Sequence, residues 1–315
     1  MKKLILVAAA LCVLGGAAEA KQKVLFIDSY HEGYGWSDGI TEGVKETLGN
    51  QVDLKVIRLD TKRNGSEDFK KKAALEAKAV IESYKPDVVI AADDNASKYL
   101  IVPYYKNSDL PFVFCGVNWD ASGYGFPCKN VTGMVEVAPI DGLLAELGKC
   151  AKGTRLGIVG PDVLTAHKEV DNIVKTFNLD PKTYFAKDVE DWKKGFAQLQ
   201  GQVDLMILLS DGGLYDEYSP DLMDWVTAHT KVPTGAAYDF MSKYALISFA
   251  KVSQEQGRWA AQAALDILNG KSPSSIPIAQ NEEGLLIINY KILEAAKIDV
   301  PYETLRIAEE AVNYY

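Results

Sequence analysis

Cysteine and histidine are scarce in this sequence, and their scarcity excludes several kinds of site. The 315 residues include four Cys and three His. No two Cys lie two to four residues apart, so no spacing matches a zinc site, and no metal site is expected. The Cys residues beyond residue 20 are odd in number, which argues against a disulfide framework. A single bridge from Cys115 to Cys128 remains open, because an oxidising compartment would permit it.

Basic charge and long apolar runs are also in short supply. Lys and Arg total 34 against 43 Asp and Glu, which gives a net charge of −9. Such a chain is not expected to bind nucleic acid or an anionic membrane surface. Beyond residue 20 no apolar run reaches the length of about 18 residues that spans a bilayer. Glycine-rich phosphate-binding motifs are missing too, so no nucleotide cofactor is expected, and no other cofactor is indicated.

The first twenty residues are typical of an export signal. Two Lys precede an apolar run from Leu4 to Leu14, which is too short to cross a membrane. Ala18-Glu19-Ala20 then supplies the small-x-small pattern of a signal-peptidase site. We therefore expect residues 1–20 to be removed and a periplasmic protein to begin at Lys21. A retained membrane anchor, or lipidation at Cys12, is the alternative.

Apolar, β-branched segments recur at intervals of about thirty residues and do not alternate with polar residues, as in parallel strands buried on both faces. These predicted strands are Val24–Asp28, Leu54–Leu59, Val88–Ala92, Phe112–Val117, Leu156–Val159, Tyr184–Ala186, Leu205–Leu209 and Thr234–Tyr238. Helical periodicity fills the gaps. It is clearest from the N-cap Ser66 to Tyr84 and from Gln254 to Leu268, where Asn269-Gly270 ends the helix.

The strand series restarts partway along the chain. Lys23–Asp28 opens a first set of strands, and Thr154–Gly160 opens a second. A buried strand that ends in polar turn residues occurs at a corresponding place in each set, at residues 87–94 and 204–211. Strand, helix and strand at this spacing predict parallel sheets with right-handed crossovers. We expect two similarly built lobes, and one continuous doubly wound sheet is the alternative.

Polar and aromatic residues follow the predicted strands, where ligands bind in open parallel sheets. The candidate ligand-binding residues are Ser29, Tyr30, Tyr34, Trp36, Asp94, Asn95, Asn118, Trp119, Ser210, Asp211, Tyr238 and Asp239. This mixture suits a small polar or zwitterionic solute. Its carboxylate could lie on helix N-terminal amides, its ammonium could pair with an Asp, and aromatic rings could enclose its apolar part. The alternative is that these residues are helix caps and core.

The segment Gly35-Trp36-Ser37-Asp38-Gly39 matches the G-x-S-x-G elbow of α/β-hydrolases. An elbow places its Ser one tight turn beyond a strand, but here about eight residues intervene. The segment also follows the first predicted strand, so no earlier strand can supply an oxyanion loop. We therefore expect no catalytic residue. Asp93-Asp94 could hold a cation, but no EF-hand spacing surrounds the pair.

Motifs in the last third of the sequence, taken together, resemble those of ABC-transporter substrate-binding proteins of the tryptophan-receptor type. They are Tyr244–Phe249, Gln256-Gly257-Arg258, Ile267–Pro273, Ile276-Pro277, Leu286–Asn289 and Ile298–Pro301. The opening Asp28–Gly39 resembles a branch also found as the sensing domain of membrane histidine kinases. The sequence departs from the family at Tyr244, where Gly is usual, and in a longer, more aromatic first loop. The ligand of relatives is therefore not transferred to this chain.

The resemblance implies a type I periplasmic-binding-protein fold, an α/β architecture of two doubly wound parallel-sheet lobes joined by three hinge crossings. The crossings would fall near Val135–Ala138, Phe249–Ser253 and Ile276–Gln280. The N-terminal lobe would comprise residues 21–136 plus 252–277, and the C-terminal lobe residues 137–251 plus 278–315. The resemblance also supports Ser29, Asn95 and Asp239 as cleft positions.

These observations together predict a monomeric periplasmic solute-binding protein without enzymatic activity. Its ligand would be small and amphipathic, either amino-acid-like or aromatic and carboxylated, and lobe closure would present that ligand to the membrane permease of an ABC importer. A ligand-sensing receptor that partners a membrane histidine kinase is one alternative. A secreted serine hydrolase that uses Ser37 is the other.

Overall fold

The computed structural model describes residues 21–210, 214 and 219–311. The predicted signal peptide, Met1 to Ala20, and the predicted ligand residue Asp211 lie outside these residues. Within the described part, no helix is both long and apolar enough to cross a bilayer. Cys115, Cys128 and Cys150 are free in the described structure.

Twelve strands and ten helices make up the described chain. The strands are β1 Lys23–Asp28, β2 Asp53–Arg58, β3 Val88–Ala92, β4 Phe112–Asn118, β5 Val131–Glu136, β6 Leu156–Pro161, β7 Lys182–Ala186, β8 Leu205–Leu208, β9 Thr234–Ala236, β10 Ile247–Lys251, β11 Ala279–Gln280 and β12 Gly284–Ile288. The helices are α1 Gly35–Leu48, α2 Glu67–Tyr84, α3 Asp93–Ala96, α4 Ile140–Cys150, α5 Leu164–Phe177, α6 Val189–Gln200, α7 Pro220–His229, α8 Ser253–Leu268, α9 Tyr290–Ala296 and α10 Tyr302–Ala311. A π-helical segment, Ser97–Tyr105, continues α3.

The strands form two six-stranded sheets, which confirms the predicted two-lobed α/β fold and excludes one continuous sheet. The first sheet has the order β11-β5-β4-β3-β1-β2, and its strands are all parallel. The second has the order β12-β10-β9-β8-β6-β7, with β12 antiparallel to β10. Each sheet and the helices packed on it are called the first lobe and the second lobe below.

Local sequence accounts for the helix ends that were predicted. The Ser66 hydroxyl accepts a hydrogen bond from the Phe69 N–H at 3.3 Å, so Ser66 caps α2 as expected. α8 ends at Leu268, and Gly270 follows with a φ of +97°, a conformation that favours glycine. Both helices pack in the first lobe, although α8 comes from the last third of the chain.

Close backbone contact with α1 fixes the position of α8, the helix that follows the second crossing and packs in the first lobe. A methyl group on Gly43 would lie 2.2 Å from the Gln254 carbonyl oxygen, and one on Gly257 would lie 2.1 Å from that of Ile40. The two helices are therefore close enough that only glycine fits at these two positions. Gly257 belongs to a motif that supported the family resemblance.

The chain crosses between the lobes three times, and side chains tie the crossings together. Val137, in the first crossing, exchanges two hydrogen bonds with the Asn281 side chain in the third, at 2.7 and 3.0 Å. The buried Glu255 carboxylate, just after the second crossing, accepts the N–H groups of residues 282 and 283 at 2.8 and 3.0 Å. Ala279–Gln280, in the third crossing, pairs with β5 at the edge of the first sheet.

Candidate functional site

A cleft of about 1200 Å³ lies between the lobes, at the carboxyl ends of their parallel strands. From the first lobe it is lined by Tyr30, Gly33, Tyr34, Gly35, Trp36, Glu42, Glu46, Lys62, Asp93, Asn118, Glu136, Ser253, Gln254 and Arg258. The second lobe and the segments joining it contribute Ala237, Tyr238, Asp239, Phe240, Ala250, Lys251, Val252, Glu283 and Leu285. Its volume exceeds the usual 300–1,000 Å³ of small-molecule sites.

Two tyrosines from the loop after β1 form one aromatic wall of the cleft. The rings of Tyr30 and Tyr34 meet edge to face, with centroids 5.4 Å apart. The exposed Lys62 ammonium lies 5.3 Å from the Tyr30 centroid and 4.9 Å from that of Tyr34. Burial raises the pKa of Tyr30, and the nearby Asp93 and Glu136 carboxylates raise it further, so Tyr30 remains a neutral hydroxyl.

Trp36 and Tyr238 face the cleft from opposite lobes, with the Lys251 ammonium near both rings. The ammonium lies 5.4 Å from the Trp36 centroid and 5.0 Å from the Tyr238 centroid. Lys251 also forms an ion pair with Glu136, and the side chains of the pair are 12% and 9% exposed. Glu136 ends β5 and Lys251 ends β10, so this pair joins the lobes at the base of the cleft.

Asp93 is the most deeply buried carboxylate of the lining, at 2% exposure. It begins α3 with a φ of +67°, in the left-handed region that Asp and Asn tolerate better than most residues. The Trp36 indole N–H donates to Asp93 Oδ1 at 3.1 Å. Asp93 Oδ2 has no hydrogen-bond partner among the described residues. Burial raises the pKa of Asp93 well above its ordinary value, and the charges of Glu136 and Asp28 add to the effect.

Ser29 lies beneath the cleft and does not line it. Its hydroxyl donates to the Ala92 carbonyl at 2.5 Å and accepts the Ala96 N–H at 2.9 Å. It therefore joins the end of β1 to the turn that carries Asp93. The neighbouring Asp28 is fully buried and pairs with Arg58 at 3.2 Å.

Several predicted ligand residues at the margin of the cleft form hydrogen bonds with other side chains of the protein. The two Asp94 carboxylate oxygens accept hydrogen bonds from the Asn118 amide and the Tyr124 hydroxyl, both at 2.7 Å. The Asn95 amide donates to Thr61 Oγ1 at 2.9 Å. Asn118 lines the cleft, whereas Asp94 and Asn95 support it from behind.

Trp119 reaches from the first lobe to the second. Its indole N–H donates to Glu169 on α5 at 3.0 Å, and the Tyr238 hydroxyl donates to the other oxygen of Glu169 at 3.2 Å. The Trp119 ring packs against core residues of both lobes. Trp119 and Ser210 are both outside the cleft lining.

The structure thus brings six of the predicted ligand residues together. They are Tyr30, Tyr34, Trp36, Asn118, Tyr238 and Asp239. Asp239 is exposed, and its carboxylate accepts the Phe240 N–H at 2.7 Å. Their contact with a ligand remains a proposal.

Sequence reasoning did not select eight of the charged residues that line the cleft, among them Lys62, Asp93, Glu136 and Lys251. Asp93 follows β3 directly and was available from the same pattern that selected Asp94. Glu136 and Lys251 lie inside two of the predicted crossings, so crossing segments are a usable signal for cleft residues. Lys62 follows β2 by a few residues and had no comparable signal.

Ser37 is part of the first turn of α1 and is 1% exposed. Its hydroxyl donates to Asp28 Oδ1 at 2.8 Å. The nearest histidine in sequence, His31, bonds through its ring to the Glu32 carbonyl. The G-x-S-x-G match therefore has the geometry of a helix start that supports a buried carboxylate.

Comparison with known proteins identifies a matching family and solved structures of the same fold. A family model described as ABC transporter substrate binding protein matches residues 31–312. A search of curated protein sequences finds no significant match. Among solved structures, the ligand-free, open form of a substrate binding protein with adhesive properties from Clostridium difficile is similar, with a TM-score of 0.70 and 20% identity. The alignment covers 94% of this chain and 99% of that one.

Two other solved structures share the fold. A domain from Streptococcus pneumoniae in complex with L-Trp has a TM-score of 0.60 and 18% identity, over 92% of this chain and 99% of that one. A periplasmic ribose ABC transporter protein from Conexibacter woesei has a TM-score of 0.56 and 14% identity, over 92% and 99%. Identities this low establish a common fold and leave the ligand unspecified.

Proposed function

The chain belongs to the family of ABC transporter substrate binding proteins, and on that premise we propose that it binds a small amphipathic solute in the cleft between its lobes. After removal of residues 1–20 it would act in the periplasm and deliver the solute to the permease of an ABC importer. It would bind the solute without converting it chemically.

The observation that carries this proposal is the composition of the cleft. Both lobes contribute aromatic side chains, Trp36 from one and Tyr238 from the other, together with ionisable groups at the base. Rings suit an apolar or planar part of a ligand, and charged groups orient its polar part. A site divided between two bodies also binds most tightly when they approach each other, which couples binding to closure.

We propose that the ligand contacts the six predicted residues that line the cleft and the buried charges at its base. The cleft is larger than most solute sites, and closure would reduce its volume around the ligand. The solutes of two similar proteins, L-Trp for one and ribose for the other, differ in chemistry. They therefore support a solute-binding role without selecting a solute.

A thermal-shift screen of amino acids, aromatic amines, small acids and sugars tests the proposal. A solute that binds the folded protein raises its melting temperature, and a hundredfold excess over Kd contributes about 2.7 kcal/mol of stability. Titration calorimetry then gives Kd for each hit. We expect a saturable one-to-one ligand. If no solute in a broad screen shifts the melting temperature or binds in calorimetry, the proposed function is contradicted.

A pair of variants tests whether a solute identified in the screen binds in the cleft. Tyr34→Ala removes a ring from the cleft wall, whereas Tyr104→Ala removes an exposed ring elsewhere in the first lobe. We expect Tyr34→Ala to weaken binding about tenfold, or ~1.4 kcal/mol, and Tyr104→Ala to leave Kd unchanged. Equal effects would contradict binding in the cleft.

The neighbouring genes distinguish import from sensing. Adjacent genes for a permease and an ATPase are expected, and a histidine kinase gene in their place would favour a sensory role.

A further inference from the structure

We propose that Asp93 is the cation-binding residue of the cleft, and that the solute is an organic amine or a zwitterion whose ammonium pairs with its carboxylate. This inference rests on the proposed function and narrows its ligand class. It assigns the central role to Asp93 instead of the neighbouring Asp94.

Three buried carboxylates lie at or beneath the base of the cleft, and only two of them pair with a cation of the described chain. Asp28, Asp93 and Glu136 are each less than 9% exposed. Arg58 pairs with Asp28, and Lys251 pairs with Glu136. Asp93 has no ion-pair partner among the described residues. An unpaired buried carboxylate is costly, so Asp93 retains its proton in the absence of a ligand, and a cationic ligand group that displaces this proton would supply the missing partner.

The second carboxylate oxygen of Asp93, Oδ2, is buried and has no hydrogen-bond partner in the described chain, and it belongs to a side chain that lines the cleft. Trp36 holds Oδ1. Gly116 lies behind the carboxylate, and a methyl group there would come within 2.8 Å of Oδ1. The carboxylate is therefore fixed from behind and from one side, which leaves Oδ2 to accept an ammonium hydrogen bond.

Other charges of the cleft favour a cation over an anion. Among the described lining residues, carboxylates outnumber cations six to three. Two of those cations are already paired, Lys251 with Glu136 and Arg258 with Glu283. The exposed Lys62 has no carboxylate partner among the described residues and could accept the carboxylate of a zwitterion. A purely anionic solute would instead meet Asp93 and Glu136 without compensation.

Matched probes with one ring system test the inference. Tryptamine carries an ammonium, tryptophol replaces it with a neutral hydroxyl, and indole-3-propionate carries a carboxylate. Calorimetry at neutral pH, extended to millimolar probe, gives Kd for the wild type and for Asp93→Asn. Asn has the same shape as Asp and tolerates the positive φ of this position, so the variant is expected to fold. Circular dichroism checks the fold.

We expect tryptamine to bind the wild type at least tenfold more tightly than tryptophol and indole-3-propionate, and Asp93→Asn to abolish that preference. Asp68→Asn, a carboxylate change at an exposed position on α2 away from the cleft, should preserve it. The inference is overturned if the neutral or acidic probe binds as tightly as tryptamine, if Asp93→Asn keeps the preference, or if tryptamine does not bind. In each case a sugar or acid found in the broad screen would leave the proposed function standing.

Discussion

Two adjacent aspartates at the end of β3 have different surroundings, although the sequence alone does not distinguish them. Asp94 uses both carboxylate oxygens on Asn118 and Tyr124, within the first lobe. Asp93 lines the cleft with one oxygen unpaired. The difference arises from the left-handed backbone of Asp93, which the turn from β3 into α3 imposes. Sequence located the polar strand end, and tertiary structure decided which of the two carboxylates lines the cleft.

The raised pKa of Asp93 predicts a specific pH dependence of stability. The charged and titratable groups that surround Asp93 are Asp28, Tyr30, Arg58, Asp94, Cys115, Glu136 and Lys251. Because the folded state holds the Asp93 proton more tightly than the unfolded state, stability falls as pH rises from the ordinary value of 3.8 through the folded pKa. Asp93→Asn removes this contribution.

The free energy of unfolding of Asp93→Asn, minus that of the ligand-free wild type, should therefore increase with pH across this window. Glu136 also has a raised pKa, but it is present in both proteins and largely cancels in the difference. Urea denaturation at a series of pH values measures the two free energies. A difference that stays constant or decreases with pH would show that Asp93 is not held in its protonated form by burial.

At the scale of elements, eight of the twelve described strands followed from the pattern of apolar runs, whereas β5, β10, β11 and β12 did not. The prediction depended on a helix between successive strands, and the chain between β4 and β5 forms only a short turn at Ser122–Tyr124. β5 also contains Gly133, where a methyl group would lie 2.4 Å from the Phe114 ring. That glycine weakens the strand signal in the sequence, yet packing of the neighbouring strand requires it.

The close contact between α1 and α8 predicts that two Gly→Ala substitutions change the free energy of unfolding in opposite directions. Gly257→Ala places a methyl group against the Ile40 carbonyl, and we expect a loss of about 1–3 kcal/mol in unfolding free energy. Gly148→Ala, at an exposed position of α4 with open space around it, should instead gain about 0.5–1 kcal/mol from helix propensity. Urea denaturation of both variants measures the changes, and a stabilising Gly257→Ala would refute the close helix contact.

At the scale of the whole molecule, two separately packed lobes are joined by three crossings that are hydrogen-bonded to each other. The repeated strand series in the sequence predicted this division into two lobes. The short strand β11 was not predicted, because it lacks any apolar run.

Such an arrangement predicts that ligand binding compacts the molecule. Closure around a solute should lower the radius of gyration, measured by small-angle X-ray scattering with and without saturating ligand. Asn281→Ala removes the side chain that joins the first and third crossings, and we expect it to broaden the distribution of dimensions in the ligand-free state. An unchanged radius of gyration on saturation would argue against closure by lobe movement.

A crystal structure with the solute that gives the largest thermal shift tests the central claim most directly. The account predicts ligand density between the lobes, in contact with Trp36 from the first and Tyr238 from the second, and with a donor group at Asp93 Oδ2. Density confined to one lobe, for example in the groove between β2 and α2 lined by Phe69 and Val80, would contradict it.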